Sequence, residues 1–222
     1  MELRFTADWF SGNIPHWQTH LSHLAGKPDL HFIEVGCLEG RSTCWLLQNI
    51  LTHPSCTITC IDLFELGKEH FDIVRDFPGP LPVSIPIAEN FQWNIRAIGA
   101  EEKVHALKGQ SEEMLRMLPV SRYDVVYIDG SHVARNVLMD TVLSWSLLKQ
   151  GGILILDDYE WVCFPDEPLR HPKMAIDAFL SVFAEEYVIL SKGYQVILRK
   201  TAPSLISSTE VHQAVKGAQT SN

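Results

Sequence analysis

Hydrophobic positions in this chain fall in short runs bounded by turn residues, with longer stretches of mixed polarity between them. H-F-I-E-V-G-C (31–37), T-I-T-C-I-D-L (57–63), V-H-A-L-K (104–108), Y-D-V-V-Y-I (123–128) and I-L-I-L (153–156) read as strands. The intervening segments predict helices over about 41–51, from Glu112, over about 136–149 and near 173–184. This alternation is that of βαβ units around a parallel sheet. The nearly all-apolar run 153–156 suits a strand covered on both faces, and Gly151-Gly152 reads as the stop of the helix before it.

Two further runs, 187–190 and 194–198, lie close enough across Ser191-Lys192-Gly193 to pair as a hairpin. A hairpin forces one antiparallel strand into an otherwise parallel sheet. Residues 1–30 are expected to be a helical segment of the same domain, 31–200 the α/β domain proper, and 201–222 a flexible tail. Between Leu66 and Glu89 the stretch F-P-G-P-L-P-V-S-I-P cannot supply ladder donors, so it reads as a long loop and a lid on the substrate side. No internal repeat is visible.

Length and charge narrow the classes. At 222 residues the chain suits one sizeable domain. A net charge of −9 argues against nucleic-acid or anionic-membrane partners and leaves a small molecule as the expected one. No uncharged apolar run approaches the ~20 residues of a membrane span, and M-E-L-R-F-T-A-D-W-F lacks the apolar core of a secretory signal. Five scattered cysteines (Cys37, Cys44, Cys56, Cys60 and Cys163) read as buried thiols of a reducing, cytoplasmic protein. Homo-oligomerisation stays open.

Candidate chemistry gathers after the strands. E-V-G-C-L-E-G-R-S (34–42) joins the first strand to its helix, and Gly36 and Gly40 permit a tight turn where a ligand can approach the helix N-terminus. Leu38 and Glu39 fall where a dinucleotide fingerprint wants glycine, and Glu39 suits a pyrophosphate badly. Asp62 closes the second strand, where its carboxylate could accept both ribose hydroxyls. Ser111, after K-G-Q, reads as an N-cap.

Asp129, His132, Asp157 and Asp158 lie just beyond two other strands, on the same rim as Glu34 and Asp62. Carboxylates converging there would repel unless protonated or bridged, and magnesium is the natural bridge. His132 is the histidine of this group and suits a general base near neutrality. The plainer alternatives are turn-forming roles for Asp129 and Asp157 and a packing role for His132. His16, His20 and His23 share a helix face without a carboxylate or cysteine partner, so no metal site is expected there. Trp9, Phe10 and Trp17 read as packing residues, and Trp161 and Phe164 as walls of an acceptor pocket.

The order E-V-G-C-L-E-G, I-D-L-F, K-G-Q-S, Y-D-V-V-Y-I-D-G-S-H and G-G-I-L-I-L-D-D-Y resembles the class I S-adenosylmethionine-dependent methyltransferases over about 32–200. Its D-G-S-H and D-D-Y turns resemble the group that includes macrolide sugar O-methyltransferases and is similar in layout to catechol-type O-methyltransferases. That resemblance implies a Rossmann-like, doubly wound, mostly parallel seven-stranded sheet with an antiparallel last strand and helices on both faces. It implies S-adenosylmethionine contacts at Glu34, Gly36, Gly40, Ser42, Asp62, Ser111 and Asp129, and magnesium at Asp129, Asp157 and Asp158. It also implies His132 as the base for O-methylation of a small hydroxylated molecule of natural-product type. A metal-free methyltransferase acting on nitrogen, carbon or carboxylate is the alternative, and a nicotinamide-dependent oxidoreductase a more distant one.

Overall fold

The computed structural model describes residues 1–67 and 85–201. The greater part of the expected lid (68–84) and the tail from 202 lie outside the described residues. Seven strands, β1 (His31–Val35), β2 (Thr57–Asp62), β3 (Val104–Lys108), β4 (Tyr123–Ile128), β5 (Leu148–Leu156), β6 (Tyr187–Lys192) and β7 (Val196–Lys200), form one sheet. Their order is β3-β2-β1-β4-β5-β7-β6. β1 to β5 run parallel, and β7 is antiparallel to both β5 and β6, as the hairpin requires.

Successive strand side chains point to opposite faces, and the sheet therefore carries two cores. Phe32, Ile58, Val125, Ile155 and Ile197 bury against α1 (Ile14–Leu21), α2 (Arg41–Asn49) and α3 (Ile87–Ala97). Ile33, Ile61, Val126, Leu154 and Leu198 bury against α4 (Ser111–Arg116), α5 (Ala134–Leu147) and α6 (Pro172–Val182). The doubly wound architecture expected from the βαβ rhythm is present. Within α1 the buried face is Trp17 and Leu21, which leaves His16 exposed and His20 half-buried; His23 lies beyond α1, exposed in the 3-10 turn Ser22–Leu24.

Three local expectations change. Gly151-Gly152 does not stop a helix: α5 ends at Leu147 and both glycines lie inside β5. Gly151 has φ +78°, and the β4–β5 register shifts between Tyr123 and Val125, so the pair serves an irregularity at the start of the strand. Helix α3 follows the prolines directly, and Ile87, Phe91 and Ile95 at i, i+4 and i+8 supply its buried face. Ser111 does not cap α4. It is the first helical residue, and its hydroxyl donates instead to Asp140 on α5 at 2.8 Å.

Backbone bonds continue the ladder past the strand ends and build a rim. Gly36 donates to Ile61, Asp129 to Val35 and Asp157 to Ile128. Glu34, Asp62, Asp129 and Asp157 thereby share one edge of the sheet.

Candidate active site

The turn from β1 into α2 is shaped by its own surroundings. Gly36 has φ +84°, and a Cβ there would lie 1.9 Å from the carbonyl oxygen of Asp129. Glycine is required because the end of β4 approaches so closely, whatever ligand the turn receives. Asp62 holds the turn: Oδ2 accepts the amides of Cys37 (2.7 Å) and Leu38 (2.9 Å), and Oδ1 accepts that of Phe64 (2.6 Å). A carboxylate offers about four acceptor positions, so Asp62 keeps about one for a ribose hydroxyl rather than two.

Glu34 is fully buried on β1, with one oxygen accepting from Ser42 and the other from Thr43 at 2.5 Å. Burial pushes its carboxyl up to about 7, against the pull of those hydroxyls. Ser42 is thus a partner of Glu34. Among the described residues, Glu34, Cys37 and Cys60 each place a ligand atom within 4.8 Å of the others. The five cysteines form no disulfide.

Above this turn lies a cleft lined by Phe5, Thr6, Trp9, Phe10, Leu38, Ile85, Ile87 and Asp129 together with Gly36, Glu39, Arg41 and Ser42. The N-terminal segment is its roof, and Glu39 is the anchor. Its carboxylate accepts the Thr6 amide (2.5 Å), the Thr6 hydroxyl (2.6 Å) and the Asn90 amide (2.7 Å). Asn94 pairs in both directions with the Arg4 backbone and also donates to the Glu39 carbonyl. An acid in this turn therefore ties the N-terminus and α3 to it. Phe10 and Trp17 pack in the core as expected, whereas Trp9 is exposed at the cleft.

At the ends of β4 and β5 two buried acids meet one phenol. The Tyr127 hydroxyl lies 2.7 Å from Asp129 Oδ2 and 2.5 Å from Asp157 Oδ2. Gln195 donates to the same Asp157 oxygen at 2.7 Å, and the Asp158 amide donates to the other at 2.8 Å. Burial, reinforced by neighbouring carboxylates, raises Asp129 well above the usual carboxyl range and Asp157 to about 6. A phenol has one hydrogen for two acceptors, so one of the two contacts needs a proton on a carboxyl or a cation beside the pair. A small cavity bordered by Asp129, Ser131, Asp157 and Asp158 lies beside it.

Asp158 departs from the expected ligand set. Its backbone is left-handed (φ +61°), and its carboxylate turns to His132 Nε2 (3.1 Å) and accepts the Tyr194 hydroxyl (2.8 Å). The three carboxylates do not gather one oxygen each within 4.8 Å of one another. Trp161 lies against the His132 ring at 4.3 Å, and Phe164 meets Trp161 edge-on at 5.8 Å; neither is among the residues lining the two cavities above. Sequence reasoning missed Tyr127 and Gln195. Gln195 shares strand parity with the buried Ile197, and that alternation was the signal available.

This sheet, with its glycine turn after β1 and acidic rim beyond β4 and β5, defines a Rossmann-like class I methyltransferase fold. A family profile described as a methyltransferase domain matches residues 33–159, more than half of the chain, and the chain belongs to that family. An uncharacterized protein of Acanthamoeba polyphaga mimivirus is 23% identical over 145 residues, 65% of this chain; the chain spans 58% of that relative's length. The solved O-methyltransferase TomG of Streptomyces achromogenes, involved in tomaymycin synthesis and in complex with S-adenosylmethionine, matches with TM-score 0.60 at 16% identity. The match covers 89% of this chain and 82% of TomG. An O-methyltransferase of Bacillus cereus in complex with S-adenosylhomocysteine gives 0.58 at 17% over 89% and 84% of the two chains. The MycE methyltransferase of the mycinamycin pathway, in complex with Mg and S-adenosylhomocysteine, gives 0.57 at 14% over 91% and 53%. Among the described residues no helix is long and apolar enough to cross a membrane.

Proposed function

We propose that the chain is an S-adenosylmethionine-dependent O-methyltransferase of small hydroxylated molecules, with His132 as general base. The contact of His132 Nε2 with Asp158 at 3.1 Å, beside the buried Asp129–Asp157 pair, is the observation that carries this reading. The cleft suits a cationic ligand, because Asp129, which lines it, is buried with its carboxyl held well above the usual range and a positive charge beside it would offset that cost. S-adenosylmethionine, when bound, supplies a methyl group on a cationic sulfur. Gly36, Gly40, Ser42 and Asp62 shape its seat, and Ser111 helps to set the loop beyond β3.

Asp158 contacts the Nε2 side of His132. His132 would take the proton of the acceptor hydroxyl, and the Asp158 carboxylate would stabilise the imidazolium that results. The donor set also fits a hard divalent cation, with Asp129 and Asp157 as the oxygens that would hold it and Asp158 committed to His132 instead. Such a cation, when bound, makes a nearby hydroxyl more acidic. The magnesium in the structurally similar MycE supports that assignment. Trp161 and Phe164, packed beside His132, would wall the acceptor.

The test is transfer of labelled methyl from S-adenosylmethionine to a panel of catechols, sugars, amines and carboxylic acids. Label is expected in hydroxylated members only. General-base catalysis contributes about 10²–10⁴-fold, so His132→Ala should lower kcat by that factor with S-adenosylhomocysteine affinity unchanged. Label in the amines alone, or an unchanged kcat in the variant, would contradict the reading.

A further inference from the structure

We propose that Gln195, locked by Trp17, is a positioning residue that aims the Asp157 carboxylate at the cation site, so that the seating of α1 sets the strength of metal binding. The inference rests on the assignment of Asp129 and Asp157 as metal ligands. Its basis is a buried chain of hydrogen bonds that runs in one direction. The Trp17 indole donates to Gln195 Oε1 at 2.9 Å, and Gln195 Nε2 donates to Asp157 Oδ2 at 2.7 Å. Trp17, Gln195 and Asp157 are 0%, 6% and 7% exposed.

An indole can only donate. The oxygen of Gln195 must therefore face Trp17, and its NH₂ must face Asp157. Both ends of the amide are satisfied in this orientation, and a flip would set NH₂ against N–H at one end and oxygen against carboxylate at the other. The same indole packs edge-on against Tyr127, with ring centroids 4.7 Å apart at 87°. One side chain of α1 thus braces two of the groups that contact Asp157 Oδ2, Gln195 by a hydrogen bond and Tyr127 by packing. Asn13, just before α1, adds a longer contact of 3.5 Å to that oxygen. These groups supply hydrogens and no charge, so the Asp157 carboxylate is oriented without being neutralised. Partners of this kind behind a metal ligand typically change affinity 10–100-fold when removed.

The experiment is a titration of the full chain, with S-adenosylhomocysteine present, by Mn²⁺ as the probe, read by its electron paramagnetic resonance signal. Gln195→Met keeps the volume and removes both bonds. It should weaken Mn²⁺ binding 10–100-fold while S-adenosylhomocysteine affinity stays constant. Trp17→Phe should weaken it less, and the double variant should bind no worse than Gln195→Met. Denaturation curves establish that each variant is folded at the titration temperature, and Trp17→Phe alone carries the test where Gln195→Met does not fold. Wild-type Mn²⁺ affinity in the folded variants would overturn the positioning role. A wild type that binds S-adenosylhomocysteine but no Mn²⁺ would overturn the metal assignment and this inference with it.

Discussion

Asp140 shows how one buried carboxyl can set a pH dependence away from the reaction centre. It lies on α5 with Oδ2 accepting from Ser111, while Oδ1 and the hydroxyl of Ser144, one turn on, have no partner among the described residues. Burial raises its carboxyl from 3.8 to about 6, with Glu112 adding to the rise. A carboxyl whose pKa is raised by folding contributes stability that is fully present below its unfolded value and lost as pH rises through the folded one. Asp140→Asn removes that titration and offers an NH₂ to the hydroxyl of Ser144. The wild type should lose about 2–3 kcal/mol relative to the variant between pH 4 and pH 7 in urea denaturation. Parallel curves would show that Asp140 is not held in this way. Glu34 and Asp157 add slopes of the same sign, which the difference cancels. Asp62, Asp129 and His132 were legible in the sequence because strand ends expose short motifs. Tyr127 and Gln195 were not, since what gives Gln195 its role is Trp17, 178 positions away.

At the scale of elements, the turn between β1 and α2 and the N-terminal segment form one unit. Glu39 supplies its charge and Arg41 extends it, contacting the Ala7 carbonyl at 3.2 Å and Asp8 at 3.4 Å. Glu39→Ala removes three hydrogen bonds to a carboxylate. It should cost on the order of 1.5–3 kcal/mol and speed hydrogen exchange at the Thr6 amide and its neighbours, while β1 and β4 stay protected. Unchanged exchange over residues 4–8 would show that the Asn94 and Arg41 contacts hold the roof without Glu39. Most elements were legible because each strand or helix carries its own period. The exceptions have local physical reasons. Proline next to the start of α3 resembles a continuing loop, although proline suits a helix entry. A glycine pair resembles a helix stop, although the chain can continue through it as an irregular strand. Ser111 has the residue type of a cap, but Asp140 competes for its hydroxyl and wins.

Across the whole molecule, the βαβ rhythm and the terminal hairpin were readable from the spacing of apolar runs, whereas the order β3-β2-β1-β4-β5-β7-β6 is set by how the crossovers place the strands. Two cores, one on each face, leave the carboxyl edge as the place where polar groups converge. This edge is where ligands bind in open α/β sheets. The family and the fold are those of methyltransferases, and the proposed function requires S-adenosylmethionine in the cleft beside the turn after β1. Calorimetric titration with S-adenosylhomocysteine and, separately, with NAD tests that requirement. One S-adenosylhomocysteine should bind per chain with no heat from NAD, and Asp62→Ala should weaken that binding because the turn loses its anchor. Saturable binding of NAD with none of S-adenosylhomocysteine would contradict it.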